Sequence, residues 1–136
     1  MTYTPNILKI KVKGGPTMQA NISLIRGDTL PLSIDSIAIQ GTEEKYILAK
    51  SDVIYMDIKR HDYDKDAVVT KTLTAEDYDS EGRLNFIILP SDTENLPCGE
   101  YVYDVRLYQD EDNIYTIIPY SKFTILKNIT DIPSEA

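Results

Sequence analysis

Apolar and polar residues alternate along most of this chain, and helical periodicity is hard to find. Leu8, Ile10 and Val12 alternate with Lys9, Lys11 and Lys13, and Met18, Ala20, Ile22 and Leu24 alternate with Gln19, Asn21 and Ser23. A period of two sends successive side chains to opposite faces, as in strands with one face buried. Leu30, Leu32 and Ile34 keep one parity and Ile37 and Ile39 take the other, so a bulge or kink is expected near Asp35-Ser36. Ile54, Met56 and Ile58 make the next apolar face, and residues 68–73 are rich in strand formers without a clear phase. Leu84, Phe86 and Ile88 are interleaved with Ile87 and Leu89, which predicts a strand buried on both sides. Tyr101, Tyr103, Val105 and Leu107 alternate with Val102, Asp104 and Arg106, and residues 114–119 and 123–126 complete nine candidate strands.

The connections suit hairpins. A loop centred on Asp110-Glu111-Asp112-Asn113 pairs Tyr108 with Tyr115, Leu107 with Thr116 and Val105 with Ile118. Gly82 ends a second acidic turn, and Gly14-Gly15-Pro16 separates the first apolar segment from the rest. Residues 1–16 therefore read as an N-terminal β arm, either added to a sheet edge or contributed to a neighbouring molecule. Residues 17–132 read as one domain and residues 133–136 as a frayed tail. Many short strands separated by turns predict an all-β, immunoglobulin-like antiparallel β-sandwich with Greek-key connections and about seven to nine strands.

Composition narrows the function. The chain has 136 residues, enough for one domain with a core, and 14 basic against 22 acidic side chains give a net charge of −8. That balance argues against nucleic acid and an anionic membrane as partners, because both need a basic face. The one basic stripe, Lys9, Lys11 and Lys13, reads as the wet face of an edge strand that blocks unwanted pairing. Cys98 is the only cysteine, so no disulfide can form within the chain and the core alone must hold the sandwich. Residues 1–20 hold no long apolar run, so no signal peptide is expected, and assembly in a reducing compartment fits. The sequons at Asn21 and Asn128 are then read as chance.

The most informative stretch is residues 90–107. Ser91 and Glu94 have the spacing of a capping box, which predicts a helical turn leading to Leu96. Leu96, Gly99 and Tyr101 then follow in the order of a tyrosine corner. There the chain crosses from one sheet to the other, the glycine gives freedom at the bend, and the phenol satisfies a backbone group that the crossing leaves unpaired. Tyr103 falls where antibody domains place a disulfide cysteine; with Cys98 alone and no tryptophan, a ring must fill that volume.

These residues also resemble a family. Leu24-Ile25-Arg26-Gly27-Asp28 after a first strand, Ser51-Asp52-Val53 opening a central one, Pro90-Ser91-Asp92-Thr93, Leu96, Gly99 and residues 101–105, followed by Thr116, residues 123–125 and Ile129-Thr130, make up the pattern. Together they resemble the immunoglobulin-like N-terminal domain of bacteriophage baseplate upper proteins from phages and prophages of Gram-positive bacteria. The resemblance implies a virion component of the tail baseplate that docks onto other baseplate proteins, as a homo-oligomer, without a cofactor.

Candidate chemistry is sparse. Asp62, Asp64 and Asp66, and Asp77, Asp79, Glu81 and Gly82, have the acidic spacing of calcium loops, but Leu73 and Ile88 stand where the bidentate Glu should be. Both read as solvated turns, and no metal site is expected. Arg26-Gly27-Asp28 spells an adhesion tripeptide and reads as the turn after a strand. His61 and Cys98 are single and far apart in sequence, so no catalytic residues are expected and the chain reads as a non-enzyme. Ten tyrosines offer an alternative use: Tyr55, Tyr108 and Tyr115 are expected to share the outward face of one sheet, as a protein-docking surface. The rival is a stand-alone carbohydrate-binding or adhesin module that takes a glycan on the same face.

Overall fold

In a computed structural model, described for residues 6–11, 19–38 and 45–130, the chain is an all-β sandwich of two sheets. The strands are β1 (Asn6–Lys11), β2 (Ile22–Ile25), β3 (Leu30–Ala38), β4 (Lys45–Tyr46), β5 (Val53–Lys59), β6 (Val69–Thr74), β7 (Leu84–Ile88), β8 (Gly99–Asp110) and β9 (Asn113–Leu126). One helical turn, α1 (Pro90–Thr93), leads from β7 to β8. The first sheet runs β1-β3-β4 with β7 also paired to β3, and the second runs β2-β9-β8-β5-β6. The parts of the expected arm and tail at residues 1–5, 12–18 and 131–136 lie outside the described residues, as does Ile39.

The alternation of the sequence becomes the core. Leu32, Ile34, Leu84, Phe86 and Ile88 from the first sheet meet Ile54, Met56, Ile58, Tyr101, Val105, Leu107, Phe123 and Ile125 from the second, all buried. Each such side chain contributes roughly 1.5–3 kcal/mol on burial, so this shared layer carries most of the driving force. The parity switch in β3 has a geometric counterpart: Leu8 pairs with Ile34 and Lys9 with Ser36, which leaves Asp35 as an extra residue. That one residue lets Ile34 and Ile37 both stay buried.

Four expectations need correction. β1 joins β3 and β2 joins β9 in parallel, so the sandwich is mixed at its edges and not wholly antiparallel. Residues 114–119 and 123–126 are one strand, β9, because bulges at Ile117 and near Pro119 absorb the break in alternation. Proline fits such a bulge, where no ladder N–H is required. The short strand β4 was not anticipated. Finally β7 is buried on one side only, with Ile87 and Leu89 nearly half exposed.

The hairpin register is also shifted near its turn. Asp110 pairs with Asn113 across Glu111-Asp112, as a loop centred there requires, but an extra β8 residue, Gln109, then sets Tyr108 opposite Ile114, Leu107 opposite Tyr115 and Arg106 opposite Thr116. The bulge at Ile117 then restores Val105 opposite Ile118, as the sequence implied. Asp110 sets the tight turn by accepting from the Asp112 amide at 2.9 Å and from Asn113 Nδ2 at 2.9 Å. These bonds hold its carboxyl below the usual aspartate range.

Candidate functional site

The crossing from β7 to β8 is built around α1 and Gly99. Pro90 opens the helical turn, and Asp92 accepts from the Leu89 amide at 2.7 Å. The cap is thus Asp92; the Ser91–Glu94 capping box is not formed, because the turn starts two residues earlier than that spacing requires. Asp92 also meets Lys71 of β6 at 2.7 Å. Thr93, fully buried, accepts from the Gly27 amide at 2.9 Å, which ties the turn after β2 to α1.

Beyond α1, Leu96 packs on the core and the chain bends at Gly99, whose φ of 141° disfavours any side chain. The Tyr101 ring is 1% exposed, and its hydroxyl donates to the Pro97 carbonyl at 2.7 Å, the geometry of a tyrosine corner. The Arg60 guanidinium lies 4.7 Å over that ring and donates to the Glu100 carbonyl at 3.1 Å. Burial raises the Tyr101 hydroxyl pKa, with Arg60 opposing the rise. Tyr103 fills the volume expected of it: its ring meets Phe123 edge-on at 6.2 Å, and its hydroxyl donates to the Ala20 carbonyl. Burial holds that hydroxyl far above the usual tyrosine range.

The outward face of the five-stranded sheet carries the candidate binding surface. Tyr55 on β5 and Tyr108 on β8 both stand on it, and Ile114 joins them from β9. With Asp57, Asp104 and Arg106 they line a depression of about 200 Å³. Tyr115 does not belong there. Its register partner Leu107 is fully buried, and Tyr115 is half-buried against the core, its hydroxyl donating to Asn113 Oδ1 at 3.2 Å. The extra residue at Gln109 in β8 is the physical reason, since it reverses the face of the β9 residues between the turn and the bulge at Ile117.

The same face broadens toward β9 and the loop after β5. A second depression of about 310 Å³ is lined by Asp57, Lys59, Asp62, Asp104, Arg106 and Tyr120. Asp57 and Asp104 sit directly opposite each other in the β5–β8 register. Asp57 accepts from Thr70 Oγ1 at 2.7 Å, and Lys59 donates to the Asp64 carbonyl at 2.9 Å. The Asp104 side chain has no hydrogen bond or ion pair among the described residues. Desolvation raises its pKa, Asp57 adds to the rise, and Arg106 and Lys59 oppose it. Asp57, Asp104, Arg106 and Tyr120 were not singled out from sequence. Only the alternation of residues 102–108 hinted at the outward set, and the pairing of Asp57 with Asp104 needs the cross-strand register.

The remaining candidates are tied into local structure. Arg26 donates to Asn128 Oδ1 at 3.0 Å, and the Asp28 amide donates to the Ile25 carbonyl at 3.0 Å, so the Arg-Gly-Asp segment is a pinned turn. Asp64 accepts from the His61 amide at 2.9 Å. Asp79 accepts from the Glu81 and Arg83 amides and from Asn85 Nδ2, which hold its pKa down at about 2. No group of three or more metal-ligating side chains forms among the described residues. His61 is exposed and stacks on Tyr63 at 4.9 Å, while Cys98 is half-buried against the core. The chain matches no protein-family model and no curated protein.

Proposed function

We propose that this chain is a non-catalytic docking module of a phage or prophage tail baseplate, an immunoglobulin-like sandwich that binds protein partners through the outward face of its five-stranded sheet. The observation that carries the reading is that face itself. Tyr55 is 41% exposed on β5, beside Tyr108 on β8 and Ile114 (39% exposed) at the start of β9, around a shallow depression. Two tyrosines and an isoleucine with charged residues beside them suit a protein interface, where aromatic anchors supply area at little entropic cost. The order β2-β9-β8-β5-β6 facing β3 and β7, with the crossing at Tyr101, supports the immunoglobulin-like connectivity. β1 lies along β3 with its other edge unpaired among the described residues, which suits strand addition from a partner. Repetition of the module in a symmetric baseplate adds avidity to contacts that are weak one at a time.

The test is co-expression with the tail and baseplate proteins of a phage or prophage that encodes it, followed by co-purification and calorimetric titration. Tyr55→Ala combined with Tyr108→Ala is expected to weaken the complex about 30-fold or more, as for loss of one interface hot spot worth about 2 kcal/mol. Undiminished binding by a folded double variant rejects the face, and the absence of any complex with those proteins rejects the baseplate reading.

A further inference from the structure

The broad end of the outward groove has a chemistry that protein docking does not use up. Carboxylates and cations are interleaved across it: Asp57, Asp62 and Asp104 face Lys59 and Arg106 within one lining. The two carboxylates opposite each other on β5 and β8 repel, an arrangement that costs stability unless something lies between them. Asp104 is half-buried with its side-chain acceptors unspent, and Arg106 is exposed and forms no ion pair among the described residues. Tyr120, 50% exposed, forms one side of the depression, and Val102 adds to its apolar lining.

We infer that this depression is a binding site for a neutral saccharide, with Tyr120 as the stacking surface and Asp57, Asp104 and Arg106 as the hydrogen-bonding groups. Charge decides the ligand class. A cation would meet Arg106 and Lys59, and an anion would meet three aspartates. A neutral polyol satisfies both signs together, because each hydroxyl both donates to a carboxylate and accepts from a guanidinium. Tyrosine supplies the flat apolar face that the C–H side of a sugar ring needs. The volume of about 310 Å³ and the open shape suit one or two sugar units held from one side. Desolvation raises the Asp104 pKa, so its carboxylate is poorly solvated where it stands and gains from hydroxyl donors when a ligand arrives.

The site goes beyond the docking reading and does not need it, since Tyr120 and Asp62 lie outside the narrow end that carries Tyr108 and Ile114. The experiment titrates the isotopically labelled full chain with neutral trisaccharides of glucose, galactose and N-acetylglucosamine, followed by amide NMR shifts. A glucosamine trisaccharide serves as the cationic control and a sialylated trisaccharide as the anionic one. At least one neutral sugar is expected to shift the amides of residues 57–62, 102–106 and 120 and to saturate. Tyr120→Ala and Asp104→Asn, each checked for an intact fold by its spectrum, are expected to weaken that binding about tenfold. Tyr55→Ala with Tyr108→Ala is expected to leave most of it. The inference is overturned if no neutral sugar shifts these amides, if either charged control binds more tightly, or if both groove variants bind like the parent chain. Failure here with baseplate binding intact rejects the sugar site alone; loss of baseplate binding with sugar binding intact rejects the docking reading alone.

Discussion

Tyr101→Phe removes one oxygen from the bend that carries the chain between β7 and β8. The ring is 1% exposed and stays; what goes is a hydroxyl that donates to the Pro97 carbonyl at 2.7 Å. A neutral hydrogen bond contributes about 0.5–1.5 kcal/mol net, and more where the abandoned partner stays buried. Pro97 is exposed, so water can reach its carbonyl and the cost belongs near 1 kcal/mol. For a domain of this size that amounts to a melting temperature lower by roughly 3–4 °C. The assay is paired calorimetry and urea unfolding of the parent chain, Tyr101→Phe and Tyr63→Phe, where Tyr63 is 78% exposed and serves as the reference for a lost surface hydroxyl. Tyr101→Ala, which also removes the ring beneath Arg60, is expected to cost about 3–5 kcal/mol, as for other buried aromatic truncations. If Tyr101→Phe melts with the parent and with Tyr63→Phe, the phenol does not anchor the crossing, and the corner is merely a packed ring.

Three other perturbations test the surrounding structure. Thr93→Val keeps the buried shape and removes the acceptor for the Gly27 amide, so a loss of about 1–2 kcal/mol is expected in urea unfolding. Gly99→Ala places a Cβ 2.7 Å from the Arg60 Nη1 at a φ of 141°; the guanidinium can move but the backbone cannot relax, and about 1–3 kcal/mol of strain is expected as a lower melting temperature. Asp104→Asn is expected to raise the melting temperature at neutral pH. Because the folded carboxyl titrates above its unfolded value, its charge is a cost above the folded pKa that disappears as pH falls toward 3.8; the gain should therefore shrink on acidification. A gain that persists at pH 3 would contradict that assignment.

Much of the sandwich was legible because burial on one face of a strand writes itself as alternation. Ile54, Met56 and Ile58, or Tyr101, Tyr103, Val105 and Leu107, point inward wherever their partners lie. The bulge in β3 was legible for the same reason, since two apolar runs of opposite parity cannot both be buried without an extra residue. The outward face was harder. Tyr55 and Tyr108 were found by parity, yet Tyr115 was misplaced because a bulge at Gln109, just before the turn, moves the pairing by a single step, and one step exchanges the faces. Ile87 and Leu89 misled in another way: an apolar residue can sit exposed, so hydrophobicity alone does not report a second buried side.

Local chemistry, then, is what the amino-acid order by itself determined: which residues alternate, where the chain must bend, and that a glycine and a tyrosine two residues apart could anchor a crossing. Pairing belongs to the tertiary structure. The opposition of Asp57 to Asp104, the placing of Arg106 and Tyr120 beside them, and the parallel joining of β1 and β2 all depend on which strand lies next to which and in what register. Residues 47 positions apart in sequence (57 and 104) share a groove because β5 pairs antiparallel with β8 in one sheet, and which strands pair is a property of the whole chain.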